Sequence, residues 1–210
     1  MVKANKIKLG IQAMMATLLL GSMTVVQADY LWLEPAQDGM HAYLGMHETS
    51  TKADLSSLNA PRAFLTDGKE LALKAGKEYL QVAAVPADMR VTAQVVEQDN
   101  VLHFYQARFG RHETKAVNDL ELVPTEPGGK TFRLIWKDSP VAASQVNVST
   151  SDGWIRTLKP AEDGSVTLDT PFPGLYILEV TARVNGSMTY QGRKFEDVRH
   201  TATLSFEVQP

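Results

Sequence analysis

The chain has 210 residues, with 24 acidic side chains against 21 basic ones, 44% apolar residues and no cysteine. Without cysteine there is no disulfide, thiolate metal site, thiol nucleophile or lipid-bearing cysteine. A formal charge of −3, with no basic run or face in the charge order, argues against nucleic acid as a partner.

The first element in the chain is an export signal. Lys3, Lys6 and Lys8 precede an apolar run from Ala13 to Val26, and Val26-Gln27-Ala28 sets small residues three and one positions before a cut. The pattern predicts cleavage after Ala28. Gly21-Ser22 and Gln27 break the run short of the ~18 apolar residues that a spanning helix needs, so no membrane anchor is expected after cleavage. The mature chain is then expected in the periplasm, starting at Asp29, with 18 basic against 24 acidic residues and a formal charge of −6.

Downstream, short runs alternate apolar and polar residues: Tyr79 to Val85, Val91 to Val95, Phe132 to Trp136, Val146 to Val148, Val166 to Leu168, Tyr176 to Val180 and Thr203 to Val208. Asp67-Gly68, Pro127-Gly128-Gly129, Asp152-Gly153, Asp163-Gly164, Pro173-Gly174 and Asn185-Gly186 punctuate them with turn chemistry. The pattern predicts an all-β chain of two β-sandwich-like domains after a cleaved signal peptide. Two stretches stand outside it. His47 to Pro61 reads as one short helix or an extended loop, and Gly110 to Asn118 as irregular. The change in composition at Pro124 to Lys130 divides the chain into a signal (1–28), an N-terminal β domain (29–126) and a C-terminal β-sandwich (127–210).

The C-terminal part contains Phe132-Arg133-Leu134, Val146-Asn147-Val148, Asp152-Gly153-Trp154, Asp163-Gly164-Ser165-Val166-Thr167-Leu168 and Pro171 to Val180 in that order, which resembles a prealbumin-like or immunoglobulin-like domain. With the start at Asp29 to Pro35, the run Ala42 to Glu48, Phe104 to Arg108 and the ending Tyr190 to Val208, the chain resembles a family of exported bacterial proteins of unknown function associated with nickel or cobalt uptake. The resemblance spans essentially the whole mature chain. It implies a periplasmic, non-enzymatic accessory protein that binds or delivers a divalent transition metal, nickel or cobalt, to an envelope transport component. Many members carry a histidine directly after the signal, where amine and imidazole form a chelate. Here Asp29 takes that place, a less selective ligand.

Other ligands must come from the five histidines. On a strand through Met40 to His47, the residues His41, Tyr43 and His47 share one face, but two imidazoles six residues apart lie roughly 20 Å apart at ~3.3 Å per residue. The pairs His47-Glu48 and His112-Glu113 fall in the two irregular stretches, which could fold toward each other into a mixed nitrogen and oxygen site. His200 is a further candidate, or a hydrogen-bonded residue at the start of the last strand. Met40, Met46 and Met89 read as core filling, and Trp32, Trp136 and Trp154 as buried packing. No nucleophile elbow, His-Glu-x-x-His helix, phosphate loop or dinucleotide fingerprint occurs, and the spacing of Glu34, Glu48, Glu97 and Asp99 favours no catalytic pair. A non-catalytic protein is expected. The alternative to metal handling is a metal-independent module that binds an envelope protein or a glycan through its β edges.

Overall fold

The computed structural model describes residues 29–83 and 85–210. The expected export signal lies outside the described residues. The chain is all-β, as its alternation predicts. Six strands open it: β1 (Tyr30–Ala36), β2 (Gly39–Met46), β3 (Thr51–Lys52), β4 (Asn59–Phe64), β5 (Leu73–Ala75) and β6 (Leu80–Val82). Then come β7 (Met89–Val96), β8 (Val101–Phe109), β9 (Leu120–Pro124), β10 (Thr131–Trp136), β11 (Ser139–Val141) and β12 (Val146–Thr150). The last six are β13 (Ile155–Leu158), β14 (Ser165–Thr167), β15 (Gly174–Val184), β16 (Met188–Tyr190), β17 (Arg193–Phe195) and β18 (Asp197–Val208). The stretch His47 to Pro61 holds two single 3-10 turns, His47–Thr49 and Leu55–Ser57, the second capped by the Asp54 carboxylate, which accepts from the Ser56 amide at 2.8 Å.

One seven-stranded sheet, in the order β13-β12-β15-β18-β8-β7-β4, forms the middle of the molecule. Alternate residues of a strand face opposite sides, so each face can take its own covering layer. On one side Met89, Val91, Tyr105 and Ala107 pack under the sheet β1-β2-β6-β5, against Leu31, Leu33, Met40, Ala42, Leu44, Leu80 and Val82. On the other side Val148, Tyr176, Leu178, Ala202, Leu204 and Phe206 pack under β9, β10, β11 and β14, against Leu120, Leu122, Phe132, Leu134 and Val166. Two offset sandwiches thus share their middle sheet.

The shared sheet runs across the expected division at 127. Its seam is the parallel pairing of β8 with β18, from Asp197 opposite Val101 to Ser205 opposite Phe109. β9 also lies before 127, yet it pairs with β10 (Leu122 opposite Leu134) and sends Leu120 and Leu122 into the second core. The hydrophobic demand of β10, not the Pro-Gly turn, sets which strands belong together.

Between the two covering layers, β7 and β8 present a cross-strand pair of arginines, Arg90 opposite Arg108, both fully buried. Like charges in direct register repel, so the pair requires carboxylates. Glu121 on β9 supplies the central one: its Oε1 accepts from Arg90 Nη2 at 3.0 Å and from Arg108 Nη1 at 2.9 Å. Its Oε2 accepts the Val117 and Asn118 amides, each at 2.9 Å. Asp88 pairs with Arg108 at 2.7 Å and also accepts the His112 and Glu113 amides at 2.9 Å. Gly110, at φ +97°, is required where the chain passes this site, because a Cβ there would collide with the Asp88 carboxylate.

Glu121→Gln, which removes the charge shared by both buried guanidinium groups, is expected to lower stability by about 3 kcal/mol in urea unfolding. A loss below about 1 kcal/mol would show that Asp88 and Glu113 balance the arginines without it.

Candidate functional site

The six residues expected as ligands are scattered over four environments. His112 and Glu113 belong to the arginine cluster: Glu113 Oε2 accepts from Arg90 Nη1 at 2.7 Å and from the Thr66 hydroxyl. The His112 side chain is 83% exposed, with Nδ1 3.6 Å from Asp88 Oδ1. His47 and Glu48 stand elsewhere, in the 3-10 turn after β2. The His47 amide donates to the Tyr30 hydroxyl at 3.1 Å, its Nδ1 lies 3.3 Å from Ser149 Oγ on β12, and its ring meets Trp32 edge-on at 5.6 Å. Burial pulls the His47 imidazole below its usual range. Asp29 lies at the foot of β1. Burial pushes the Tyr105 hydroxyl up, and the charges of Glu97 and Asp29 push the same way.

The expected joint site of His47, Glu48, His112 and Glu113 is therefore corrected: the two irregular stretches fold onto different strands, one onto β12 and the other onto β7 and β8. Among the described residues, no group of three or more His, Asp or Glu side chains is arranged to hold a metal ion. His200 is a buried hydrogen-bonding residue. It is 1% exposed, with Nδ1 3.0 Å from Gln106 Oε1, its ring stacked on Phe104 at 4.6 Å and edge-on to Trp136 at 4.8 Å. Burial, with the charges of Lys137 and His103, pulls its imidazole down to about 4.

A different site emerges where the first sheet meets the shared one. β1 is an edge strand, yet both its faces are buried: Leu31 and Leu33 enter one core, while Tyr30 and Trp32 pack on Leu175 and Ile177 of β15. Its free edge is tied to the shared sheet, where Thr203 Oγ1 on β18 donates to the Leu31 carbonyl at 2.6 Å. Beyond Ile177, the same face of β15 continues as Glu179, Thr181 and Arg183. It is left uncovered. The result is a cleft of about 720 Å³, with a wall that includes Tyr30 and Glu48 and a floor that includes Asn147, Ser149, Glu179 and Thr181.

Neutral donors hold the carboxylates of the cleft. Tyr30 donates its hydroxyl proton to Glu48 Oε2. Asn147 Nδ2 donates to Glu179 Oε2 at 2.7 Å, and Thr181 Oγ1 to Glu179 Oε1 at 2.7 Å. A buried chain fixes Thr181 from below: its hydroxyl is 2.6 Å from that of Thr201, which is 2.7 Å from His103 Nε2, while His103 Nδ1 is 2.8 Å from Glu97. Burial pushes the Glu179 carboxyl up; the bonds from Asn147 and Thr181 oppose that, and the charge of Glu48 adds to it. At the far end, Arg183 and Arg199 both reach Asp197 Oδ2 at 3.1 Å.

From the wall of the cleft a row of rings leads out over the outer face of the first sheet. Tyr30 and Trp32 are 5.6 Å apart, Trp32 and Tyr43 are stacked at 5.4 Å, Tyr43 and Tyr79 are 5.7 Å apart, and Tyr79 is stacked on His41 at 3.7 Å. Tyr30 and Trp32 are buried, whereas Tyr43 and Tyr79 are partly exposed. Polar groups rim the row. Asp38 Oδ1 is 2.8 Å from His41 Nε2, and Gln81 Nε2 donates to Asp38 Oδ2 at 2.7 Å. Alternation alone places His41 and Tyr43 on one face, but Glu179 and Asn147 were not marked by sequence, because one polar residue in an apolar run reads as an ordinary solvated position.

The chain matches no family model, and no curated protein matches it. Among solved structures, the Bacteroides ovatus mixed-linkage glucan utilization locus protein SGBP-B, in complex with a mixed-linkage heptasaccharide, aligns with 87% of this chain at 14% identity and a TM-score of 0.19. The chain covers 47% of that structure, about half its length. That likeness carries no argument about the fold or the ligand of this chain.

Two measurements check these placements. The unfolded chain binds a proton on His200 near the ordinary value of 6.5, while the folded chain refuses it until about 4, so this residue makes stability fall as pH is lowered from about 6.5 to about 4. His200→Leu is expected to flatten that decline without abolishing it, because burial pulls His47 and His103 down too; an NMR titration placing His200 near 6.5 would overturn this assignment. Calorimetric titration of residues 29–210 with nickel or cobalt is expected to give no binding tighter than about 100 μM, about 5.5 kcal/mol, and His112→Ala should change nothing.

Proposed function

We propose that this protein is an exported, non-catalytic binding module that holds a glycan along the aromatic row and in the adjoining cleft. The observation that carries the reading is the continuity of the two. Partly exposed Tyr79 and Tyr43, the latter with Lys52 Nζ 4.1 Å from its ring centre, offer aromatic surface for the C–H faces of sugar rings, and the same row runs through buried Trp32 to Tyr30 at a cleft lined by Asn147, Ser149, Glu179 and Thr181. Carbohydrate recognition needs that combination of apolar platform and fixed hydrogen-bonding groups. The platform is rigid, since His41 is clamped by Asp38 and stacked under Tyr79. Rigid groups lose little entropy when a ligand settles on them.

Metal handling, which the family resemblance implies, has less to work with here. Glu113 is engaged by Arg90 and Thr66, His200 by Gln106, and Glu48 by Tyr30. Each would have to abandon a buried or half-buried partner to ligate. Export to the periplasm fits a glycan ligand, because envelope polysaccharides are met there.

Affinity electrophoresis of the mature protein through gels containing neutral, acidic or amine-bearing polysaccharides tests the reading. Retardation by at least one is expected, and Tyr43→Ala or Tyr79→Ala should each weaken binding about tenfold, or ~1.4 kcal/mol. Free migration through every gel would sink the proposal.

A further inference from the structure

One row of hydrogen bonds runs across a face of the shared sheet, from the floor of the cleft to the turn after β7. Glu179 Oε1 is 2.7 Å from Thr181 Oγ1, which is 2.6 Å from Thr201 Oγ1; that hydroxyl is 2.7 Å from His103 Nε2, and His103 Nδ1 is 2.8 Å from Glu97 Oε1. Strand pairing sets the row in place. Thr181 stands opposite Thr201 in the ladder of β15 with β18, and His103 stands opposite Arg199, two positions from Thr201 on the same face, in the ladder of β18 with β8. Thr201 and His103 are each 1% exposed, whereas Thr181 opens to the cleft and 35% of the Glu97 side chain meets solvent.

Each gap in such a row holds one proton, because two lone pairs at that distance repel. Four gaps need four protons. The two hydroxyls bring one each and a neutral imidazole brings one, so with both carboxylates ionised the row is a proton short. With the fourth proton on Glu179, the carboxyl donates to Thr181, Thr181 to Thr201 and Thr201 to His103 Nε2, while Nδ1 donates to Glu97. With it on His103, Nε2 donates to Thr201 and both hydroxyls turn round, toward a Glu179 carboxylate. Resting on the glycan reading above, we infer that this row is a one-proton switch whose loaded form holds the cleft floor in the arrangement that binds the glycan. Without the fourth proton, Thr201 donates to His103 and Thr181 to Glu179, and the two hydroxyl oxygens face each other with nothing between them. Thr181, the exposed one of the pair, then moves away and takes the set position of the Glu179 carboxylate with it. A loosened floor pays more entropy to receive a ligand.

The surrounding groups let the two ends compete for that proton. Burial pushes the Glu179 carboxyl above its ordinary 4.5; the bonds from Asn147 and Thr181 oppose this and the charge of Glu48 adds to it. Arg183 and Arg199 line the same cleft, and both are engaged by Asp197. Burial pulls the His103 imidazole below its ordinary 6.5; Glu97 and Asp197 oppose this and Arg199 adds to it. Tyr105, stacked on the imidazole at 4.2 Å, is pushed up by burial and stays a neutral phenol. The carboxyl therefore rises toward the imidazole as the imidazole falls toward it. The proton is held below that interval and lost as pH rises through it, so glycan affinity is highest at low pH and falls by no more than about tenfold per pH unit, a single proton being linked.

NMR titration of residues 29–210 from about pH 4 to about pH 8, reading the Glu179 carboxyl carbon and the His103 ring nitrogens, tests the switch without a ligand. Both are expected to move in one common step, and Thr201→Val, which fills the same space without a proton to pass, should split it in two. Separate steps in the unmodified protein, or a common step that Thr201→Val leaves intact, overturns the shared proton. Should the valine variant fail to fold, Glu97→Gln at the half-exposed end must still move the Glu179 step, and an unmoved step overturns the row. Affinity electrophoresis in hydroxyethyl cellulose, polygalacturonate and glycol chitosan then tests the link to binding. In any gel that retards the protein, the affinity ratio of the unmodified chain to Thr201→Val is expected to be about tenfold larger near pH 5 than near pH 7, a comparison in which titration of the polysaccharide cancels. A ratio that ignores pH overturns the link and leaves glycan binding standing. No retardation in any gel overturns the glycan reading and the link with it, while a common NMR step still upholds the shared proton.

Discussion

Two buried arginines opposite each other on neighbouring strands are the constraint around which the rest is arranged. Arg90 and Arg108 occupy positions where a sandwich ordinarily sets apolar side chains, and neither can lose its proton. Their charge has to be met in place. Glu121 meets it from β9, Asp88 from the foot of β7 and Glu113 from the loop between, so three separate segments are drawn onto one patch of the shared sheet. The Gly110 to Asn118 stretch is irregular for this reason: its amides are spent on the same carboxylates, not on a ladder. Because β9 arrives with Glu121, it brings Leu120 and Leu122 to the second core, and β9 cannot leave the shared sheet without breaking the cluster.

The shared sheet also explains where a binding surface can exist. Seven strands are wider than either covering layer, so part of each face must be closed by something else or remain open. On the side of the first sheet, β1 closes the middle with Tyr30 and Trp32 on Leu175 and Ile177, and closure stops there. Glu179 and Thr181 follow on the same face, next to Asn147 across the ladder, and they form the floor of the cleft. The edge of the other face is treated differently. The hairpin of β16 and β17 folds Phe195 over Leu102 and Val198, with Met188 and Tyr190 beside them, and a second cleft of about 660 Å³ opens where Val180, Ala182 and Val184 of β15 face Trp136 and Val141.

Much of this was legible from residue order. The alternating runs at 91–95, 132–136, 146–148, 176–180 and 203–208 lie inside β7, β10, β12, β15 and β18. The run at 79–85 pairs only over Leu80–Val82. β8 and β9 escaped the pattern for one reason. Their inward positions include His103, held by Thr201, Gln106, held by His200, and Arg108 and Glu121, which hold each other, and a polar residue in sequence carries no mark of such a partner. The same limit applies to the ligand candidates. His47-Glu48 and His112-Glu113 look alike as dipeptides, but Tyr30 and Ser149 hold the first pair while Asp88 and Arg90 hold the second.

By itself, then, the order of residues determined the all-β class, the turns, the alternation of the recognised strands and the sharing of one face by His41 and Tyr43, because these depend on neighbours two or four positions away. Tertiary structure decided the rest. The parallel pairing of β8 with β18 joins residues some ninety positions apart, from His103 opposite Arg199 to Ser205 opposite Phe109, and no local signal announces it. Glu48 and Glu179 come to line one cleft through the seating of β1 on β15, and Tyr43 meets Tyr79 through the pairing of β2 with β6. Local chemistry sets what a strand presents, while long-range pairing sets what it is presented to.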